Sequence, residues 1–219
     1  MSTTDEAPAP VAQAITGIAD PAPLGLGAFA LTTFLLSAFN AGWMTSASGL
    51  AWLGYAFAYG GLGQLLAGMW EFRNRNVFGA TAFSTYGGFW IGLAIYFLTV
   101  GGGLLAHPAT AGEFSKDLGW ILLAFAIFNT YMLLFSTQVN AAVFGVFLTL
   151  ELTEIVLFIG NFAGNSNIVK VGGYIGVLTA VVAWYTSAAG VINGMKGSIV
   201  LPVGRPLMRL GNTMTSTQP

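Results

Sequence analysis

Glu151 and Glu154 stand three residues apart in Thr149-Leu150-Glu151-Leu152-Thr153-Glu154-Ile155-Val156, an otherwise uncharged stretch. On a helix such a pair shares one face. Carboxylates inside apolar helices are costly and default to function, with a proton relay the first chemistry to consider. The blander alternative is that both face a wet cavity or a subunit contact and are held there by donors. A second group is polar but neutral: Thr32, Thr33, Asn40, Gln64, Ser84, Thr85 and Tyr86. Thr33 lies four residues after Phe29, and Asn40 seven after Thr33, so a helix puts Phe29, Thr33 and Asn40 on one stripe. The stripe either lines a path or packs, with the threonine hydroxyls returned to their own helix carbonyls. An amide at Gln64 either glues helices together or lines water. A third feature is Asp20-Pro21-Ala22-Pro23, where prolines preset a helix start and Asp20 is a capping residue. The free N–H groups of such an end make a possible anion site.

Other chemistries lack their residues. There is no cysteine, and the one histidine, His107, falls in a polar loop. That removes thiolate nucleophiles, haem ligands and the usual metal sets, so no cofactor, metal or catalytic residue is expected. An intramembrane protease needs a Ser/His pair or paired aspartates within spans, and a retinal protein needs a central lysine. Neither pattern occurs. A net charge of −1 gives no field for nucleic acid.

The elements that must position these residues are membrane helices. Hydrophobic residues make up 55% of the 219 and charged ones 7%, where soluble domains carry about 25%. Mean hydropathy is +0.75. Six apolar stretches reach the length needed to span a bilayer: Leu24 to Trp43, Ser48 to Trp70, Thr81 to Leu105, Leu118 to Phe135, Ala141 to Phe162 and Ile168 to Ile192. The reading is an all-α, polytopic, six-helix membrane domain over 20–195, with a disordered tail at 1–19 and a second tail at 196–219. Arg73, Arg75, Lys196, Arg205 and Arg209 fall on the side of the termini, against Lys116 and Lys170 on the other, which puts both termini in the cytoplasm. Trp43, Trp70 and Trp120 mark span ends, where aromatic belts form. Gly160/Gly164, Gly172/Gly176 and Gly190/Gly194 repeat the spacing that lets helices approach closely, within one bundle or between subunits. Glu71, beside Arg73 and Arg75, reads as part of an interfacial ion-pair cluster.

Asp20-Pro21-Ala22-Pro23-Leu24-Gly25-Leu26 resembles the Asn-Pro-Ala-Pro-Leu-Gly-Leu signature of the acetate uptake transporters, or succinate–acetate permeases. Tyr59-Gly60-Gly61 with Gln64, Ala67-Gly68 and Glu71 is similar to that family's second helix. The run from Asn76-Val77-Phe78-Gly79 through Tyr86-Gly87-Gly88-Phe89-Trp90 resembles its third, and Ile159-Gly160-Asn161 the end of its fifth. The likeness extends over about Asp20 to Pro202.

The resemblance implies a homohexameric ring in which each protomer has its own pore for small carboxylates. It assigns the pore's narrow point to Phe29, Tyr86 and Leu150. The chain differs from the pattern at Asp20, which replaces asparagine, and at Glu151 and Glu154, which replace apolar or small residues. A carboxylate crossing a bilayer loses its water at a cost of several kcal/mol unless it is paired or protonated. No arginine, histidine or central lysine lies within the six spans. The substrate therefore passes either as the neutral acid or as an anion held by neutral donors and helix ends. The expected path comprises a mouth at Asp20, Pro21 and Ala22; a constriction of Phe29, Tyr86 and Leu150; donors at Thr32, Thr33, Asn40, Gln64 and Thr85; and possible proton coupling at Glu151 and Glu154. The expected function is transport of acetate and related small carboxylates, including succinate, across a bacterial or archaeal plasma membrane. A passive channel for the anion or the weak acid, and a non-transporting membrane sensor or structural protein, are the alternatives. The expected partners are the substrate, the lipid bilayer and other copies of the chain.

Overall fold

Short polar residues start most of the helices. The computed structural model describes residues 17–44, 50–102 and 110–208, and all secondary structure among them is helical. Helix α1 spans Ala22–Asn40, with Asp20 Oδ1 accepting the Ala22 N–H at 2.9 Å. Helix α2 covers 52–73 in three consecutive pieces, Trp52–Phe57, a π-helical Ala58–Gly63 and Gln64–Arg73. Helix α3 is Val77–Gly101, capped by Asn76 and ending in a second π-helical segment, Phe97–Gly101. Helices α4 (Ala111–Ser136), α5 (Ala141–Phe162) and α6 (Ser166–Lys196) are capped by Thr110, Asn140 and Asn165. In each cap the side-chain oxygen takes a first-turn N–H that would otherwise be unpaired.

Five of the six, all but α2, are single helices long and apolar enough to cross a membrane. Helix α2 gains its length by running through the π turn, where Tyr59-Gly60-Gly61 wraps past Thr32 of α1. The fourth helix begins at Ala111 rather than at Leu118. A capping box between Thr110 and Glu113 starts it inside the polar segment, so Glu113, Lys116 and Asp117 are helical and not loop. Tyr96 then donates to Asp117 at 2.8 Å, tying α3 to α4. The sixth helix runs on to Lys196 and stops at Gly197, whose φ of 63° favours glycine. Tail residues 1–16, His107 and Arg209 lie outside the described residues.

Helix α1 is central. It packs along α6 and against the π segment and second half of α2; α6 packs on α5, α5 on α4, and α2 on α3. Between α3 and α4 the contact is made chiefly by aromatic rings, including Tyr86 with Phe125 and Phe128, and Phe97 with Phe114. Trp43, Trp70 and Trp120 are all exposed, as an interfacial belt requires. Of the spaced glycines, Gly160, Gly172, Gly176 and Gly190 meet neighbours within this chain. Gly164 is a turn residue with φ of 60°, and Gly194 faces open space. Gly194→Ala is therefore expected to stabilise α6 by about 0.5–1 kcal/mol, read as a raised midpoint of thermal unfolding in detergent.

Beyond Gly197 the chain folds back across one end of the bundle. Asn193 Oδ1 accepts from Val200 N and Leu201 N, Tyr185 donates to the Pro202 carbonyl at 2.6 Å, and Ala142 N donates to Val203 O. The strap ends with Leu207 N on Thr137 O at 2.8 Å.

Candidate functional site

Four cavities follow one another along the bundle. The first is a mouth lined by Asp20, Ala22 and Pro23 at the start of α1, by Asn74 and Asn76, by Asn140 and Val143 at the start of α5, by Thr186, Gly190 and Asn193 of α6, and by Val203 of the strap. The N-termini of α1, α3 and α5 thus meet around one space, where their dipoles favour negative charge and the Asp20 carboxylate opposes it; among the described residues no cation lines it. Leu26 divides the mouth from a second cavity containing Gln64, Ala82, Phe83, Val146 and Phe147. Phe29, Tyr86 and Leu150 line that cavity and also the third, which holds Thr33, Ser37, Asn40, Phe89, Trp90, Thr153 and Glu154. Leu36, Asn40, Leu122 and Leu157 then lead to a fourth, with Asn161 and Val169.

The three shared side chains border both cavities, and together they make the ring of residues that stands between them. Phe29, Tyr86 and Leu150 are exposed by only 4%, 3% and 6%. Phe29 meets Tyr86 edge to face, with centroids 5.8 Å apart. The cavities on either side measure about 20 and 40 Å³, enough for one or a few waters. Buried polar atoms normally find partners. Here Gln64 Oε1 on one side of the ring, and Thr33 Oγ1 and Glu154 Oε2 on the other, have none.

Behind the ring lies a hydrogen-bond network. Tyr86 Oη is 3.0 Å from Asn129 Oδ1 and 3.3 Å from Glu154 Oε1. Asn129 Nδ2 donates to Phe147 O at 3.0 Å and to Glu151 Oε2 at 2.7 Å. Thr130 Oγ1 lies 2.8 Å from Glu151 Oε1. Sequence reasoning missed Asn129, the fully buried centre of this network, although an amide in mid-span is the signal that singled out Gln64.

The remaining sequence-selected residues divide. Phe29, Thr33, Asn40, Gln64, Tyr86, Leu150 and Glu154 line the two inner cavities, and Asp20 and Ala22 line the mouth. Pro21 is buried as the residue preceding α1 and lines none of the four. Thr32 bonds back to the Ala28 carbonyl and rests on Gly60, so it faces α2 and not the path. Thr85 also lines none of them; it is one position from Tyr86, which turns it away around the helix. Glu151 sits behind Asn129. Glu71 is fully buried and takes its hydrogen bond from Asn74 at 3.1 Å, in place of the expected pairing with Arg73 or Arg75.

Comparison with known proteins decides the family: the sequence model of the GPR1/FUN34/yaaH family matches residues 4–206. The chain belongs to that family. It is 43% identical over 196 residues to acetate permease A of Emericella nidulans, covering 84% of this chain and 65% of that protein. It therefore spans about two thirds of that relative's length. It is 37% identical over 190 residues to the succinate-acetate/proton symporter SatP of Escherichia coli, covering 86% of this chain and 97% of the symporter. The solved structure of the bacterial acetate channel SatP superposes with a TM-score of 0.79 at 34% identity, over 86% of this chain and 100% of that one.

Proposed function

We propose that the chain transports acetate and related small carboxylates, including succinate, across a cell membrane by a proton-linked route through its own bundle. The observation that carries this reading is the Phe29–Tyr86–Leu150 ring between two cavities whose buried polar atoms lack partners. An apolar closure with neutral donors on both sides passes a small, partly polar solute and stops bulk water and ions. The names of the relatives agree with it. The mouth at Asp20 and Ala22 collects the substrate, Gln64 and then Thr33 and Asn40 offer hydrogen bonds, and Glu154, with Glu151 behind it, is the carboxyl group that borders the same cavity and makes it sensitive to protonation.

Copies of the chain form a homohexamer in the bilayer, as the family likeness suggests, and native mass spectrometry in detergent tests that. Both termini are cytoplasmic by the balance of Lys and Arg at the helix ends. Uptake of labelled acetate, lactate and succinate into proteoliposomes, with and without an imposed pH gradient, tests the function. Accumulation above equilibrium when the outside is acid supports proton linkage. Uptake that only equilibrates identifies a passive channel, and no uptake identifies a sensor.

Asp20 is exposed, and its carboxylate already serves as a cap. In Asp20→Asn the cap survives and one negative charge leaves the mouth. The KM for acetate is expected to fall by about twofold at low ionic strength, with the two proteins converging as salt screens the charge. Equal KM values at low salt would mean that the carboxylate acts only as a cap.

A further inference from the structure

Tyr86 has one hydroxyl proton, and two oxygens lie within reach of it: Asn129 Oδ1 at 3.0 Å and Glu154 Oε1 at 3.3 Å. Asn129 decides between them. Its Nδ2 donates to the Phe147 carbonyl and to Glu151 Oε2, which are both acceptors. Its Oδ1 is therefore the atom turned to Tyr86, and the tyrosine proton points there. The contact between Tyr86 Oη and Glu154 Oε1 is then a hydrogen bond only if Glu154 supplies the proton. An ionised Glu154 would set a charge that is 3% exposed against an oxygen lone pair. The titratable groups around it are Tyr86 from α3 and Glu151 from its own helix, with Tyr131 of α4 beside Tyr86. Helix α1 presents the Thr33 and Ser37 hydroxyls and the Asn40 amide to the same cavity, and Thr179 of α6 bonds the neighbouring Thr153. Among the described residues, none of these is a cation.

We propose that Asn129, acting through Tyr86, holds Glu154 as an undissociated carboxylic acid, and that the cavity beyond the ring therefore accepts the undissociated acid form of its substrate and rejects the anion. This rests on the transport reading above. With Oε1–H given to Tyr86, Glu154 offers the cavity it lines an acceptor, Oε2, which has no partner. The O–H of a carboxylic acid satisfies that acceptor. A carboxylate meets it lone pair to lone pair. The Thr33 hydroxyl, unpartnered on the same cavity, is free to donate to the substrate carbonyl. Only hydrogen bonds form and break. The substrate keeps its own proton, so a pH gradient drives accumulation through the concentration of the acid, and no proton has to leave Glu154. Asn129 is a positioning residue here: it touches no substrate and acts by aiming the Tyr86 proton.

The test is labelled-acetate uptake by the full chain in proteoliposomes across pH at fixed total acetate, with leak into protein-free vesicles subtracted. The wild-type rate is expected to fall about tenfold per pH unit above the titration range of acetic acid. Acetamide, with an N–H donor and a carbonyl, competes; trifluoroacetate, ionised throughout, does not. Glu154→Gln keeps an N–H for Tyr86 and an acceptor for the cavity, whereas Glu154→Leu keeps neither, so uptake by the glutamine variant is expected to exceed that of the leucine variant by about tenfold or more. Asn129→Leu frees the Tyr86 proton for Glu154, lets the glutamate ionise and moves the fall in rate to lower pH. Combined with Glu154→Gln the same substitution leaves the pH profile unmoved, which separates positioning from a folding defect. Loss of uptake in Glu154→Gln, or competition by trifluoroacetate equal to that by unlabelled acetate, overturns the proposal. If the wild type moves no acetate, the transport reading fails. Binding to the purified protein still decides the charge form: bound acetamide supports the proposal and bound trifluoroacetate overturns it.

Discussion

Leu150→Ala is expected to admit larger acids. Leu150 is one of three side chains shared by the cavities on either side of the ring, so removing its terminal carbons joins two spaces that are now separate. A leucine deleted from a fully packed core costs about 2–5 kcal/mol, depending on how far the site collapses. Here voids already flank it, which puts the stability loss at the low end of that range and leaves the opening unfilled. Phe29→Ala removes a larger group and breaks the edge-to-face contact with Tyr86. In both variants the ratio of lactate or butyrate uptake to acetate uptake should rise by about tenfold or more, since one or two methylenes in a tight site are worth that much discrimination. Acetate uptake itself should be kept. An unchanged substrate profile in both variants would place the selecting step elsewhere in the bundle. Tyr86 is the less suitable ring member to truncate, because its hydroxyl also belongs to the Asn129 network.

Gly173→Val should have the largest effect on stability. A Cβ at Gly173 would lie 2.8 Å from Asn40 C and Ser37 O, and would also strike the Ala41 nitrogen. These are backbone atoms at the end of α1 and cannot swing aside as a flexible side chain can. The two helices must separate, and α1 carries Phe29, Thr33 and Asn40 on the same stripe. Overpacking of this kind costs about 1–3 kcal/mol for a single added group, and a branched side chain sits at the upper end or beyond. Thermal unfolding in detergent should show the loss, with transport falling in parallel. Gly194→Ala is the matched control on the same helix, because nothing lies near its position. Equal unfolding midpoints for the two variants would mean that the α1–α6 contact is not what the close approach implies.

The glycines illustrate how far a linear pattern reaches. Small residues four apart announced tight helix contacts, but the same spacing covers Gly176, pressed on Ser37 and Thr153, and Gly194, which touches nothing. The spacing carries a helix face and not the identity of its neighbour. The number of helices and most of their starts were legible because a bilayer demands long apolar runs and short polar caps, and both are local properties of the chain. The π turn at Ala58–Gly63 was not legible, since it depends on Gly60 seating against Thr32 of another helix. The start of α4 was missed for a local reason: the Thr110–Glu113 capping box extends a helix into residues too polar to be read as part of a span.

The residues around the cavities divide in the same way. A period of 3.6 residues determined by itself that Phe29, Thr33 and Asn40 share a face of α1. The charge pattern determined by itself that no arginine or lysine waits in mid-membrane. Composition also made Glu151 and Glu154 conspicuous, and their spacing put them on one side of α5. Only the tertiary structure decided that Glu154 faces the inner cavity while Glu151 stands behind Asn129, and that Thr32 and Thr85 line none of the four cavities. A helix position states a direction, and what occupies that direction is set by which helices pack there and at what angle. The partners that orient Tyr86 come from α4 and α5, 43 and 68 residues along the chain. A hydrogen bond between residues so far apart leaves no trace in local periodicity, so the network around Tyr86 had to wait for the fold.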